Sequence, residues 1–213
     1  MRTFKYIARC LCVFFACFAL QGTCLSAQGI DPAEARADLQ QAIDQVLEIL
    51  RKPEFKDLKK HPDLERQMED AVQGIFDFTA FAAGTVGPRW RTFSADEKTR
   101  MTEAFTDLLR STYLSKFDSY DGEQIIYTGE VVKGDRVEVS TVVRTMDNKQ
   151  IPITYRMMKR DTWVVFDAVA EGMSLVQNYR TQFQDALIKE TPDQLIARIA
   201  AQAEKIRTNQ SSE

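Results

Sequence analysis

Residues 163–183 read WVVFDAVAEGMSLVQNYRTQF, an apolar strand-like run that meets Glu171-Gly172 and then turns at once into a helical pattern. The junction Gly172-Met173-Ser174 has the outline of an approach to a nucleophilic serine. A nucleophile elbow needs small residues on both sides of the serine, as Gly-x-Ser-x-Gly. Here Val176 occupies the last position, and the one histidine of the chain, His61, lies far upstream of the serine it would have to follow. Ser174 with Gln177 three residues on instead forms a helix N-cap, whose side-chain oxygen satisfies a backbone donor of the first turn. The stretch therefore predicts a strand, a tight turn and a capped helix from about Leu175 to Lys189.

Upstream of this junction the two-residue period continues. Ile125 to Val132, Arg136 to Thr145, Gln150 to Lys159 and Trp163 to Ala170 read as strands, with turns at Lys133-Gly134-Asp135, Met146 to Lys149 and Arg160-Asp161. This is the pattern of an antiparallel meander. Val137, Val139, Thr141 and Val143 share one side, as do Ile151, Ile153, Tyr155 and Met157. Pro152 comes early in its strand, where a missing donor does least harm.

Helices precede and follow the meander. Asp31-Pro32-Ala33-Glu34 is a capped start to a helix with Leu39, Ile43, Val46 and Leu50 on its apolar side. A second helix runs from about Asp63, with Leu64, Met68, Val72 and Ile75 or Phe76. FDFTAFAAGTVGPRW, residues 76–90, predicts a short helical turn broken at Gly87-Pro88. Ser94-Ala95-Asp96-Glu97 opens a long amphipathic helix carrying Met101, Phe105, Leu108, Leu109, Tyr113 and Phe117. A last helix spans Pro192 to Ile206 behind Thr191-Pro192-Asp193-Gln194, and residues 207–213 read as a frayed tail. The expectation is one α+β domain over residues 28–213: a curved antiparallel sheet of four strands or slightly more, with amphipathic helices packed on it in a cystatin-like, cone-shaped arrangement.

Residues 1–27 have the layout of a secretory signal peptide, with Arg2, Lys5 and Arg9 before an apolar run and small residues at Ser26-Ala27. The run Ile7–Leu20 is shorter than the roughly 20 residues a spanning helix needs. All four cysteines (Cys10, Cys12, Cys17, Cys24) fall in this segment, so the exported chain has neither a disulfide framework nor thiol chemistry. The 28 basic residues are outnumbered by 31 acidic ones, and three of the 28 belong to the leader. No polybasic run exists, which disfavours nucleic acid and permanent attachment to anionic lipid.

Catalytic chemistry has no visible carrier. His61 stands alone before Pro62, Glu69-Asp70 and Asp121/Glu123 are polar-side carboxylates, and no phosphate loop or metal-ligand spacing occurs. The expectation is no catalytic residue, no metal and no cofactor. Apolar stripes on strands and helices remain, and these either pack as core or leave a gap for an apolar ligand.

IPITYRM (residues 151–157) and WVVFDAVAEGMSLVQNYRTQF resemble the conserved strand and the strand-to-helix signature of the MlaC/toluene-tolerance family of periplasmic lipid-carrier proteins. FDF, Gly87, Trp90 and the run Phe105, Leu108, Leu109, Thr112, Tyr113 fall in the family's order, so the resemblance covers about Asp31 to Ile206. After FDF the chain departs from it, with Ala82-Ala83-Gly84-Thr85 where relatives often carry an arginine and larger apolar residues. The resemblance implies a monomeric periplasmic shuttle, not an enzyme. Such a shuttle carries phospholipid between an outer-membrane lipoprotein–porin assembly and an inner-membrane ABC transporter with its MCE-domain ring, and so maintains lipid asymmetry. The implied lipid-binding residues are Val139, Val143, Ile153, Tyr155 and Met157 from the sheet, and Phe81, Trp90, Phe105, Leu108, Val176 and Tyr179 from the helices. Arg180 or the helix start at Ser174 is a candidate phosphate contact; Arg180 could equally pair with Asp167 or Glu171. A hopanoid-like or quinone-sized cargo, a periplasmic enzyme on the same scaffold, and a structural adaptor with a filled interior stay open as alternatives.

Overall fold

The computed structural model of the chain describes residues 30–55, 61–117 and 120–210. The leader expected over residues 1–27, the side chain of Phe117 and residues 211–213 of the expected tail lie outside the described residues.

Helix α1 (Pro32–Leu50) starts where Asp31 accepts a bond from the Ala33 amide at 2.9 Å. Glu34 does not close the capping box; it reaches Lys159 at 3.1 Å and ties α1 to the sheet. Helix α2 (Pro62–Ile75) follows His61, whose side chain makes no capping bond. The short turn expected after FDF is a full helix, α3 (Phe78–Val86), extended by a 3-10 turn over Gly87–Thr92. Asp77 caps α3 through the Ala80 amide at 2.8 Å and pairs with Arg160 at 3.0 Å. Helix α4 (Ala95–Phe117) has the reciprocal Ser94/Glu97 box.

Strands β1 (Gln124–Lys133), β2 (Arg136–Arg144), β3 (Gln150–Lys159) and β4 (Trp163–Ala170) pair antiparallel in chain order. A fifth, two-residue strand β5 (Met173–Ser174) adds to β4 across the tight turn Glu171-Gly172. Both turn residues have positive φ, 51° and 82°, the backbone a two-residue hairpin of this hand demands. Helix α5 (Leu175–Leu187) leaves directly from β5, and α6 (Pro192–Gln210) closes the chain behind the Thr191/Gln194 box. It continues four residues past the expected end at Ile206, so residues 207–210 of the expected tail are helical. The expected α+β architecture holds, with five strands in an open sheet.

Two main cores result. In the helical layer, α3, α4, α5 and α6 bury Phe81, Met101, Phe105, Leu108, Phe183, Leu195 and Ile199 among themselves. In the second core α1, with Ile75 of α2, lies on the sheet over Val137, Val139, Met157, Trp163 and Val165. Phe76 touches both, and a parallel bridge from Phe76 to Val165 pins the helical layer to β4, with the Asp77 amide bonded to the Val165 carbonyl at 2.9 Å. A smaller cluster joins the far ends of α1 and α2 through Ile49, Leu50 and Met68.

Candidate functional site

Strand alternation puts Val137, Val139, Thr141 and Val143 of β2 on the helix-facing side of the sheet. Register carries the same side across β3 as Met157, Tyr155, Ile153 and Ile151, and onto β1 as Tyr127 and Ile125. This single side is not covered uniformly. Where α1 lies, Val137, Val139, Met157 and Val165 are fully buried. Towards the other end Ile125, Val143, Ile151, Ile153 and Ala170 are half-exposed. Helix α4 packs chiefly on α6 and α3. An apolar strip is thus left partly uncovered beside a closed core.

Two phenols mark the boundary. Tyr155 lies beside Thr141, whose hydroxyl donates to the Ile153 carbonyl at 3.2 Å. Burial pushes the Tyr155 phenol above its ordinary value, opposed by the neighbouring Thr141 hydroxyl. The Tyr127 phenol is also pushed up, chiefly by burial, with Tyr155 and Asp44 adding to the effect and Arg36 opposing it. The Arg36 guanidinium stands over the Tyr127 ring, 5.1 Å from its centre, and is held there by Glu130 at 3.0 Å. Yet the Tyr127 hydroxyl, buried from solvent, has no hydrogen-bond partner among the described residues.

Phe81, Phe105, Leu108, Val176 and Tyr179 come together in the helical core, with Trp90 half-exposed against them. Phe105 is its centre: Tyr179 and Phe183 meet it edge-on at 5.0 and 5.7 Å, and Phe81 lies at 5.7 Å. Burial pushes the Tyr179 phenol up to about 12. Val139, Tyr155 and Met157 belong to the other core. Val143 and Ile153 belong to neither, and stand on the open strip. The eleven candidate residues therefore do not line one volume. Ile125 and Ile151 join the open strip, and Tyr127 borders it from the core under α1, although the sequence reading did not place them in the site. Strict alternation along β1 and β3, once register is known, is the signal that finds them.

The strand-to-helix junction is structural. Ser174 accepts from the Gln177 amide at 3.0 Å and donates to Asp167 at 2.7 Å. Asp167, almost wholly buried, also accepts from the Val176 amide at 3.1 Å and pairs with Arg156 at 2.9 Å. The start of α5 thus already holds a carboxylate, which supplies the negative charge that a helix N-terminus favours. Arg180 pairs with neither Asp167 nor Glu171; its Nε donates to the Gly84 carbonyl at 2.7 Å and ties α5 to α3. The small residues that set this chain apart after FDF have a packing role here. Ala82 and Thr85 are fully buried, and a Cβ on Gly84 would stand 2.9 Å from Val176 Cγ1, so α5 lies close against α3.

Two concavities lie elsewhere, along α1 and α2. One of about 170 Å³ is lined by Asp38, Gln41, Gln45, Asp70 and Trp163 among others; the second, about 390 Å³, by Gln45, Glu48, Lys52, Gln67 and Asp70 with Ile49 and Ala71. None of the eleven candidate residues lines either of them. Among the described residues no group of acidic, histidine or cysteine side chains is arranged to hold a metal ion, and no helix is long and apolar enough to cross a membrane.

A family model describing the MlaC protein matches residues 40–201 of the chain. A solved structure of a phospholipid-binding protein from Ralstonia solanacearum, in complex with a phospholipid, has a similar fold: TM-score 0.73, at 22% identity, over 82% of this chain and 99% of that one. No curated protein matches.

Proposed function

Because the chain belongs to the MlaC family, we propose that it binds phospholipid by its acyl chains and carries it, as a monomer, through the periplasm. The carriage runs between an outer-membrane lipoprotein–porin assembly and an inner-membrane ABC transporter with its MCE-domain ring. The observation that carries the proposal is the apolar strip Ile125, Val143, Ile151 and Ile153, only half-buried among the described residues on a sheet whose other half is sealed by α1. The phospholipid held by the Ralstonia solanacearum protein of similar fold supports the same reading.

Two 16-carbon chains present about 30 methylenes, and at ~0.8 kcal/mol each their exposure to water costs on the order of 24 kcal/mol. A carrier needs to offset most of that cost and no bond-making group. On this proposal the chains enter against Val143, Ile153 and Tyr155 and lie between the sheet and the helical layer. Parting these layers brings Val139 and Met157 from one side into contact with lipid, and Phe81, Trp90, Phe105, Leu108, Val176 and Tyr179 from the other. The two layers suit such a movement, because each has its own buried core and they are pinned together at Phe76–Asp77 and at the β4–α5 junction. The head group stays at the solvent edge, since the start of α5 is taken by Asp167.

Protein purified from cells without detergent and extracted with organic solvent is expected to yield phospholipid by mass spectrometry. A hopanoid or quinone in its place would keep the carrier and change the cargo. An empty extract, together with no uptake of lipid from vesicles, would overturn the proposal.

A further inference from the structure

Tyr127 presents a buried hydroxyl with no partner among the described residues, and such a group costs about as much as a lost hydrogen bond unless something else satisfies it. Its neighbour Tyr155, on the same side of the sheet, has the Thr141 hydroxyl beside it. The difference is positional. Tyr127 is opposite Thr141 in the register, immediately before the irregularity at Gly129, with Ile125 and Val143 of the open strip as the next pair. It is the polar group where the open strip meets the core under α1, one side-chain step in from the solvent edge.

The acceptor it suits is neutral. Glu130 is paired to the arginine that covers the ring, and the negative charge of Asp44 helps hold the phenol un-ionised. With two carboxylates at hand and Arg36 already engaged, an anionic oxygen is disfavoured there. The raised phenol remains protonated, and so a donor, throughout the neutral range. Resting on the phospholipid-binding reading above, we propose that the Tyr127 hydroxyl donates a hydrogen bond to an acyl-ester carbonyl of the bound lipid. It sets how deeply the chains seat and favours ester-linked over ether-linked lipid.

The test compares diester and diether phosphatidylethanolamine of equal chain length, presented in vesicles to delipidated full-length protein, with wild type and Tyr127→Phe. One net hydrogen bond corresponds to roughly a fivefold preference. Wild type is expected to favour the diester by about that factor. Tyr127→Phe is expected to bind both lipids as wild type binds the diether, and the empty variant to melt no lower than wild type, because it loses an unsatisfied group. Equal binding of both lipids by wild type, a preference that survives in Tyr127→Phe, or a marked loss of stability in the empty variant would overturn the assignment while leaving lipid binding intact. A wild type that takes up neither lipid would overturn both readings together.

Discussion

Val139 and Val143 stand four residues apart on the same side of β2, with the same side chain and the same alternation, yet one is fully buried and the other half-exposed. The strand is continuous across them, so nothing in the sheet itself makes the difference. The cover does. Leu39 and Ala42 of α1 close one end, whereas among the described residues no helix packs as tightly on the other, and α4 lies chiefly against α6. The comparison separates two uses of apolar surface that look identical in a strand: one holds the fold together, the other is left for a guest.

The sharpest way to break the comparison is to put a charge at each end. Val139→Asp buries an unpaired carboxylate and is expected to cost about 3–5 kcal/mol, read as a large fall in the urea midpoint. Val143→Asp is expected to cost no more than about 1 kcal/mol and to abolish recovery of lipid phosphorus with the protein. Equal destabilisation at both positions would show that the strip is ordinary core. Next in size is the pin between the two layers. Asp167→Ala leaves the Ser174 hydroxyl, the Val176 amide and one side of Arg156 without their acceptor, and is expected to cost about 2–3 kcal/mol by chemical denaturation. The smallest effect is expected at Gly84→Ala. A gain of about 1 kcal/mol in helix propensity opposes a clash with Val176 worth about 1–3 kcal/mol, for a net loss near 1 kcal/mol. Repeating that substitution on a Val176→Ala background should remove the loss, and a cycle that shows no coupling would refute the close α3–α5 contact.

Much of the fold was legible before the coordinates. Alternation and turn residues placed the ends of the four long strands within a residue, because Gly134, Asp135, Asn148 and Asp161 have no competing role. Ser174 could be read as a cap because its spacing to Gln177 is local. What escaped depended on distance along the chain. Asp167 is an acidic residue inside an apolar strand, and only the folded junction shows it satisfying three donors at once. The run Ala82 to Thr85 reads as a missing contact in sequence and is a close helix approach in space. Apolar helix residues do not announce which partner covers them, so Phe105 and Met157 looked like walls of one space and belong to separate cores. The lone hydroxyl of Tyr127 could not be foreseen, since a missing partner leaves no mark in a sequence.

Helix α6 adds Leu195, Ile196, Ile199 and Ala203 to the core centred on Phe105 and is clasped to α4 through Arg100 and Asp193 at 2.7 Å. That layer therefore cannot be completed until α6 has reached α4 across 93 residues of chain, however early its own helices form. Until that contact closes, the aromatic cluster lacks one of its walls and stays open to other apolar surfaces. Helix α6 thus acts as a latch on the condensation of this layer.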